Sequence, residues 1–412
     1  MRILILSQWC YPEPDLKALT FARELVKNGH TVQILTGFPN YPGGNIYPGY
    51  KIKWSQREVA DGVEIIRVPL YPSHDLSGFG RMLNYLSFAL SAALLGVFRI
   101  RKAEVMYVYH PPATIAIPAL FIKFFRRIPI VYDIQDIWPD TLTATGMVNN
   151  GAILKMIGSY CSFVYKSVDQ ITLLSPGFKR KLVERGVQHD KIEVVYNWPN
   201  PFTMPDEANT SLIPGADKKF TILFAGTMGR AQALHEVLNA AAILKSKEVD
   251  NIQFAFIGGG ICLDELKSQK EQLKLDNVLF LPRVSNSEIG KYLAAADALL
   301  VHLKDDSLFK ITIPSKTQAY MQAGKPIIMA VGGDADILVN EATAGICCPP
   351  EDAEKLAEAA IALSLLTGEE LKRMGENAKA YFDEHLSIEH GVQHFLKLFH
   401  KVSNPKSASY AG

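Results

Sequence analysis

Short apolar runs bounded by turn residues alternate with amphipathic stretches along this chain, and the whole scheme runs twice. Parallel strands joined by helices produce that alternation, so the expected fold is α/β, with doubly wound, Rossmann-like sheets. Residues 3–6 read as a first strand. The helix after it carries Leu19, Ala22, Leu25 and Val26 on one face and stops at Asn28-Gly29-His30. Further strands are expected at 31–35, 63–68, 105–109, 130–132, 170–174 and 192–195, and one parallel sheet accounts for all of them. The segment NWPNP (197–201) interrupts the pattern with two prolines, after which strands are expected at 220–224, 253–257, 278–281, 298–301 and 327–330. The expected organisation is therefore a domain over 1–199, a second over 200–375, and a polar, proline-broken flexible tail over 403–412. Two such domains are expected to face each other across a cleft, because ligands of open α/β sheets bind outside the carboxyl ends of the strands.

Charge and cysteine content narrow the setting. The formal net charge is +1, yet residues 1–199 hold 22 Lys and Arg against 15 Asp and Glu, whereas residues 200–412 hold 21 against 27. A basic first half fits an anionic acceptor or surface, and fits ordinary solvation equally. No nucleic-acid partner is expected. Five cysteines without paired metal-ligand spacing support neither a disulfide framework nor a zinc site, and four late histidines (His385, His390, His394, His400) lack a ligand pattern, so no metal is expected. The first residues run straight into a strand without the pattern of a secretory signal, which gives a cytoplasmic expectation. The most apolar stretch, 85–100, has 16 residues, short of the roughly 20 that cross a bilayer as a helix.

The residues that could carry chemistry cluster after strands. FAGTMGR (224–230) leaves a strand through Gly226 and Gly229 and enters a helical stretch, which would point backbone N–H groups at a phosphate with Arg230 adding charge. A plain tight turn is the alternative. A second glycine run, Gly258-Gly259-Gly260, follows the next strand. In IPSKTQAYMQAGKP (313–326), Ser315 is placed to cap a helix. Lys316 in its first turn would oppose the helix dipole unless an anion such as a diphosphate sits there, or else it points to solvent. In the first half, DIQDIWPD (133–140) concentrates three carboxylates after a strand. Asp136 could orient or deprotonate an acceptor hydroxyl, and Asp140 competes for that role or caps the next helix. His110 ends a strand in YHPP and could enter the cleft or be structural. Glu13 and Asp15 occupy the first loop, where a dinucleotide fingerprint would need glycines. Their charge argues against an NAD-type site and for a loop that faces an acceptor.

YPEPDLKALTFARELVKNGHTVQILTGFPNYPGG at the start, YDIQDIWPD, NWPNP, FAGTMGRAQAL and IPSKTQAYMQAGKPI together resemble the GT-B glycosyltransferases of family 4, in the bacterial branch that builds O-antigen and capsule repeat units, with a likeness to N-acetyl-L-fucosamine transferases. The resemblance implies a UDP-sugar donor held by the second domain, an acceptor held by the first, retention of anomeric configuration, and neither cofactor nor metal. Gly229, Arg230 and Lys316 match the positions that neutralise the leaving diphosphate. Two glutamates common in the family are missing: their positions hold Ile311 and Ala319, so ribose and sugar contacts must come from backbone or from Glu341. The resemblance further implies a C-terminal helix over 376–401 that packs back on the first domain, and an undecaprenyl-diphosphate-linked acceptor at the inner membrane face. The stretches 85–100 and 121–127 would then form a peripheral membrane face, or else are core helices with charged ends. A nucleotide-sugar-binding protein without catalysis, or a hydrolysing UDP-sugar epimerase of the same fold, stays open as an alternative.

Overall fold

A computed structural model describes the chain except residues 15–16, 74–77, 145–146, 149 and 405–412. Asp15 and the tail from 405 onward lie outside the described residues. The chain divides into two units, Met1–Tyr196 together with Ile388–Gly412, and Asn197–Ser387.

In the first unit, the opening apolar run forms β1 (Arg2–Leu6), whose last four residues are buried, as a central strand covered on both faces requires. Around it stand β2 (Thr31–Gly37), β3 (Gln56–Ala60), β4 (Val63–Val68), β5 (Val105–His110), β6 (Ile130–Ile134), β7 (Gln170–Leu173) and β8 (Ile192–Val194). The sheet order is β3-β4-β2-β1-β5-β6-β7-β8, parallel throughout except for β3, which pairs antiparallel with β4. Sequence reading misses β3 because its residues are half-exposed and charged, without the apolar run that marks the other strands. The helix Lys17–Lys27 buries Ala18, Leu19, Phe21, Ala22 and Leu25, one stripe at helical spacing, and ends where Gly29 takes φ +80°.

The second unit holds β9 (Phe220–Thr227), β10 (Ile252–Gly259), β11 (Val278–Leu281), β12 (Ala298–His302), β13 (Ile327–Ala330) and β14 (Gly345–Cys347), in the order β11-β10-β9-β12-β13-β14. Numbered within the unit, this is the 3-2-1-4-5-6 order of a doubly wound nucleotide-binding sheet, with its switch point between β9 and β12. The short strand β14 also escapes sequence reading, since its three residues are too few for a pattern.

Two expectations change. The helix expected over 376–401 is two helices. Gly368–Tyr381 belongs to the second unit, the chain turns extended at Ser387, and Ile388–Ser403 belongs to the first. The later helix packs Phe395 against Phe21 at 5.0 Å and Tyr107 at 5.2 Å, over the helix Lys17–Lys27 and β5. The apolar stretch expected at 16 residues is part of a helical run of 22, Gly78–Arg99, which is long and apolar enough to cross a bilayer by those criteria alone. Its inner face is built into the first unit. Asn84, Phe88, Ala89, Ala92 and Ala93 are buried, and a Cβ on Gly96 would lie 2.6 Å from Leu35.

Because Phe395 is fully enclosed between two aromatic rings of the first unit, Phe395→Ala should lower the unfolding free energy by about 3–5 kcal/mol in urea titration. A loss under about 1 kcal/mol would mean that the last helix does not complete this core.

Candidate functional site

In the second unit the two central strands pair to their last residues, Gly226 with Gly258 and Thr227 with Gly259. The glycines are thus strand ends rather than the turns expected from sequence. The reason is steric: a Cβ on Gly258 would lie 2.0 Å from the Gly226 carbonyl oxygen, and one on Gly260 would lie 2.3 Å from that of Met228. Gly226 and Gly258 also hold φ near +140°, a region side chains rarely adopt. A cavity of about 310 Å³ opens here, lined by Gly226, Thr227, Gly258, Gly259, Arg283 and Asn286. Arg283 and Asn286 follow β11, and the short LPR segment behind a strand was the one sequence signal for them.

Lys316 reaches the same strand end. It stands in the first turn of the helix Ser315–Ala323, and its chain passes over Gly226, where a Cβ would meet its Cε at 2.6 Å. Its ammonium sits 3.3 Å from the centre of the Phe224 ring, and among the described residues no carboxylate pairs with it. Burial lowers its pKa from the usual lysine range to about 7. The ring face supports the cation but does not neutralise it. A helix N-terminus, a half-buried lysine without a counter-ion and a side-chain-free strand end together form an anion-binding arrangement.

Other expected donor residues fall elsewhere. Pro314, not Ser315, takes the cap position; Ser315 is the first helical residue and is exposed. The Gly229 amide donates to Gln232 Oε1 at 3.0 Å, so it is engaged within its own loop. The helix after that loop begins only at Leu234, beyond a 3₁₀ turn over Arg230–Gln232. Arg230 is exposed and lines a neighbouring cavity of about 270 Å³ with Gly229, His235, Cys262, Glu265 and Lys304. His302 holds this loop to the end of β12 through a 2.8 Å hydrogen bond with the Gln232 carbonyl. Glu341 ends the helix Asp334–Glu341, four residues before β14, and so lies toward the amino ends of the strands, where it accepts from the Tyr381 hydroxyl at 3.2 Å. It cannot replace the missing glutamates from there. Ile311 and Ala319 are both half-buried.

In the first unit, Glu13 is inside the protein. One carboxylate oxygen accepts from the Asn40 and Tyr41 amides at 2.8 Å each, the other from the Cys10 amide at 2.9 Å. Burial raises its pKa against those three bonds. Glu13 therefore ties the loop after β1 to the loop after β2 instead of facing an acceptor. Beneath it the fully buried Arg67 donates to Gly37 O at 3.0 Å, to Glu58 and to Tyr11 O. Gln8, Asn84 and Asn40 continue the network at 2.6 and 3.0 Å. Above these groups Trp9 meets Tyr41 at 5.0 Å and Tyr85 at 6.2 Å, an aromatic wall that sequence reading missed because its three rings come from distant segments.

Asp136 follows β6, half-buried, and burial alone raises its pKa. Among the described residues its carboxylate has no hydrogen-bond or ion-pair partner. His110 ends β5 buried, with Nδ1 unpartnered, and burial lowers its pKa to about 3, so the ring is neutral at physiological pH. Asp140 is held by Lys181 at 2.7 Å and by Arg185, which outweigh burial and lower its pKa. It is the first residue of its helix, tied down electrostatically, and neither free for chemistry nor a cap before it. Asp133 is likewise consumed, by Tyr107, Gln135, Lys17 and Thr172. Among the described residues no group of three His, Cys, Asp or Glu is placed to hold a metal.

A parallel sheet of this order, with glycines at the strand ends and a cationic helix N-terminus beside its switch point, gives the second unit a doubly wound, Rossmann-like architecture. Comparison with known families gives the class of the whole chain. Residues 17–198 match the Glycosyl transferase 4-like domain and residues 209–381 match Glycosyl transferases group 1, and the chain belongs to these glycosyltransferase families. It is 25% identical over 301 residues to the probable glycosyltransferase WbjE of Pseudomonas aeruginosa, covering 71% of this chain and 74% of that one. It is 25% identical over 395 residues to WcaI of Escherichia coli (strain K12), named as a colanic acid biosynthesis glycosyl transferase, covering 90% and 92%. Among solved structures, HepE of Anabaena in complex with UDP and glucose superposes with a TM-score of 0.66 at 16% identity, covering 96% and 98%, and shares the two-domain GT-B fold.

A lysine that titrates near 7 is mostly neutral at pH 8, where ordinary lysines are charged and unreactive. Acylation at pH 7–8, followed by peptide mass mapping, should therefore modify Lys316 ahead of the exposed lysines. Equal rates would show an ordinary ammonium. Gly226→Ala should abolish the difference by displacing the Lys316 chain.

Proposed function

We propose that the chain transfers a sugar from a UDP-sugar to an undecaprenyl-diphosphate-linked acceptor during assembly of a bacterial surface polysaccharide, at the cytoplasmic face of the membrane. The observation that carries this reading is the Lys316 ammonium, set on Phe224 without a counter-ion at a helix N-terminus beside the glycine strand ends. A diphosphate supplies the missing charge and makes a charge-assisted bond to that lysine. Arg283 and Asn286, in the cavity beside Gly258, then meet the nucleoside. The names borne by WcaI and HepE support a polysaccharide pathway and a UDP donor respectively.

In the first unit Asp136 orients the acceptor hydroxyl, its raised pKa suiting a carboxylate that shares a proton. The neutral His110, at the end of the adjoining strand β5, brings no charge to it. The leaving diphosphate takes the acceptor's proton, the sugar keeps its anomeric configuration, and no metal is needed. N-acetyl-L-fucosamine is the sugar favoured by the family resemblance.

The protein is incubated in EDTA with a panel of UDP-sugars and a lipid-diphosphate-GlcNAc acceptor, with glycolipid mass as the readout. One donor should give a heavier product. Donor binding without product from any donor would favour a binding protein, and conversion of the UDP-sugar itself would favour an epimerase. Lys316→Ala should weaken donor binding about tenfold or more, the worth of a hydrogen bond to a charged group. Asp136→Asn should leave donor binding unchanged and lower kcat about a hundredfold.

The pH dependence follows from Lys316. A bound diphosphate favours the charged form and raises its pKa above the empty value of about 7. Donor affinity should be flat below about pH 6 and fall by up to tenfold per pH unit above 7 until the bound lysine itself titrates. Titration calorimetry with an intact UDP-sugar measures this. A profile with no slope between pH 7 and 9 would remove Lys316 from the site.

A further inference from the structure

The helical run Gly78–Arg99 leaves a row of large apolar side chains uncovered. Phe79, Met82, Leu83, Leu86, Leu90, Leu94 and Phe98 are all exposed, Phe79 at 75% and Phe98 at 82%. From Leu86 onward they recur every fourth residue. In a regular helix that spacing drifts around the axis, but the wide turn over Ala92–Gly96 takes up the drift and keeps Leu94 and Phe98 in line with Leu90. Beside this run packs the helix Ala116–Arg126, which adds Phe124, 78% exposed, and Phe125. Isolated exposed apolar residues are ordinary. A continuous row along about 29 Å of helix, with two further exposed rings on the adjacent helix, is not.

The surrounding charge identifies what covers it. Residues 76–132 contain seven Lys and Arg and a single acid, Glu104, which is already engaged by Arg2. Arg99, Arg101, Lys102, Arg126 and Arg127 gather where the two helices end, with Arg126 donating to the Val97 and Ile100 carbonyls and so fixing one helix end against the other. Arg101 pairs with Glu64 and Lys123 with Asp169, and the net basic border that remains beside the apolar face matches an anionic bilayer surface, whose phosphates meet the border while the acyl boundary takes the row. A second copy of the same chain would bring the same positive charges together.

The pose is also determined. The opposite side of the run is core: Asn84 is buried in hydrogen bonds with Gln8, Asn40 and the Tyr71 carbonyl, Ser91 bonds the Pro69 carbonyl, and Gly96 rests on Leu35. Crossing the membrane would pull these groups into hydrocarbon and dismantle the first unit. We propose that Gly78–Arg99, with Phe124 and Phe125, lies in the plane of an anionic membrane surface as the docking face of the first unit. This deepens the proposed use of a lipid-linked acceptor by naming the surface that meets the lipid.

The test is co-sedimentation of the full chain with phosphatidylcholine vesicles with and without phosphatidylglycerol. Wild type should partition to the phosphatidylglycerol vesicles, less so as salt rises. The triple change Leu86→Ser, Leu90→Ser, Leu94→Ser should lower the partition coefficient at least about tenfold. Arg99→Gln with Lys102→Gln and Arg127→Gln should remove most of the salt dependence. Leu90→Asp, a single exposed change, repeats the test should the triple variant misfold. Transfer to a short, water-soluble diphosphate-sugar acceptor, without vesicles, should be unaffected by all of these. Loss of that transfer in wild type would refute the functional reading and leave the docking result standing. Wild type remaining in the supernatant at low salt, or equal partition of the serine variant, overturns the docking face. So does a wild-type dimer that the serine changes convert to a monomer without altering partition.

Discussion

The contact between Gly226 and Gly258 sets the geometry of the second unit's site. The two central strands pair through Gly226 and Gly258 only because neither bears a side chain, with 2.0 Å between a would-be Cβ on Gly258 and the Gly226 carbonyl oxygen. The missing Cβ of Gly226 also leaves room for the Lys316 chain, whose Cε it would meet at 2.6 Å. The lysine in turn can bring its charge onto Phe224, the residue two before Gly226 on the same strand. Placement of the cation is thus a consequence of what the strands lack. Its lowered pKa follows from the same burial.

The first unit solves a different problem. Its loops after β1 and β2 are long and would be loose without internal anchors. Glu13 supplies one by accepting three backbone amides, and Arg67 supplies another beneath it, reaching Glu58 and two carbonyls. Buried charges of this kind are costly unless every hydrogen-bonding direction is used, and here the loops themselves provide the partners. The anchored loops hold Trp9 and Tyr41 against Tyr85, a residue of the Gly78–Arg99 run. The aromatic wall and the exposed apolar row therefore belong to opposite faces of one helical segment.

Most of the fold was legible in the chain. Runs such as 3–6, 105–109 and 327–330 are apolar because strands covered on both faces need it, and their neighbours alternate accordingly. What escaped was local and weakly marked: β3 is an edge strand of charged residues, β14 has three residues, and the stop at Ser387 that divides the last two helices carries neither glycine nor proline. Candidate site residues were legible as types near strand ends, and Lys316 was singled out by its conflict with the helix dipole. Their partners were not legible. Glu13 and Asp136 look equally available in sequence, yet one is bonded by three amides and the other by none of the described residues.

The sequence by itself determined the α/β class, the doubling of the scheme, the break near residue 197, and the glycine and lysine positions at the ends of strands, because periodicity and turn chemistry are local properties. Tertiary structure alone decided which charges are spent and which remain. Asp140 is neutralised by Lys181 and Arg185, Asp133 is paired with Lys17 and bonded by Tyr107, Gln135 and Thr172, and Glu341 is carried to the amino end of its sheet, while Lys316 is left without a counter-ion among the described residues. It also decided that Gly78–Arg99 is core on one side and bare on the other, since helix composition states how much apolar surface exists and only packing states which part of it is covered.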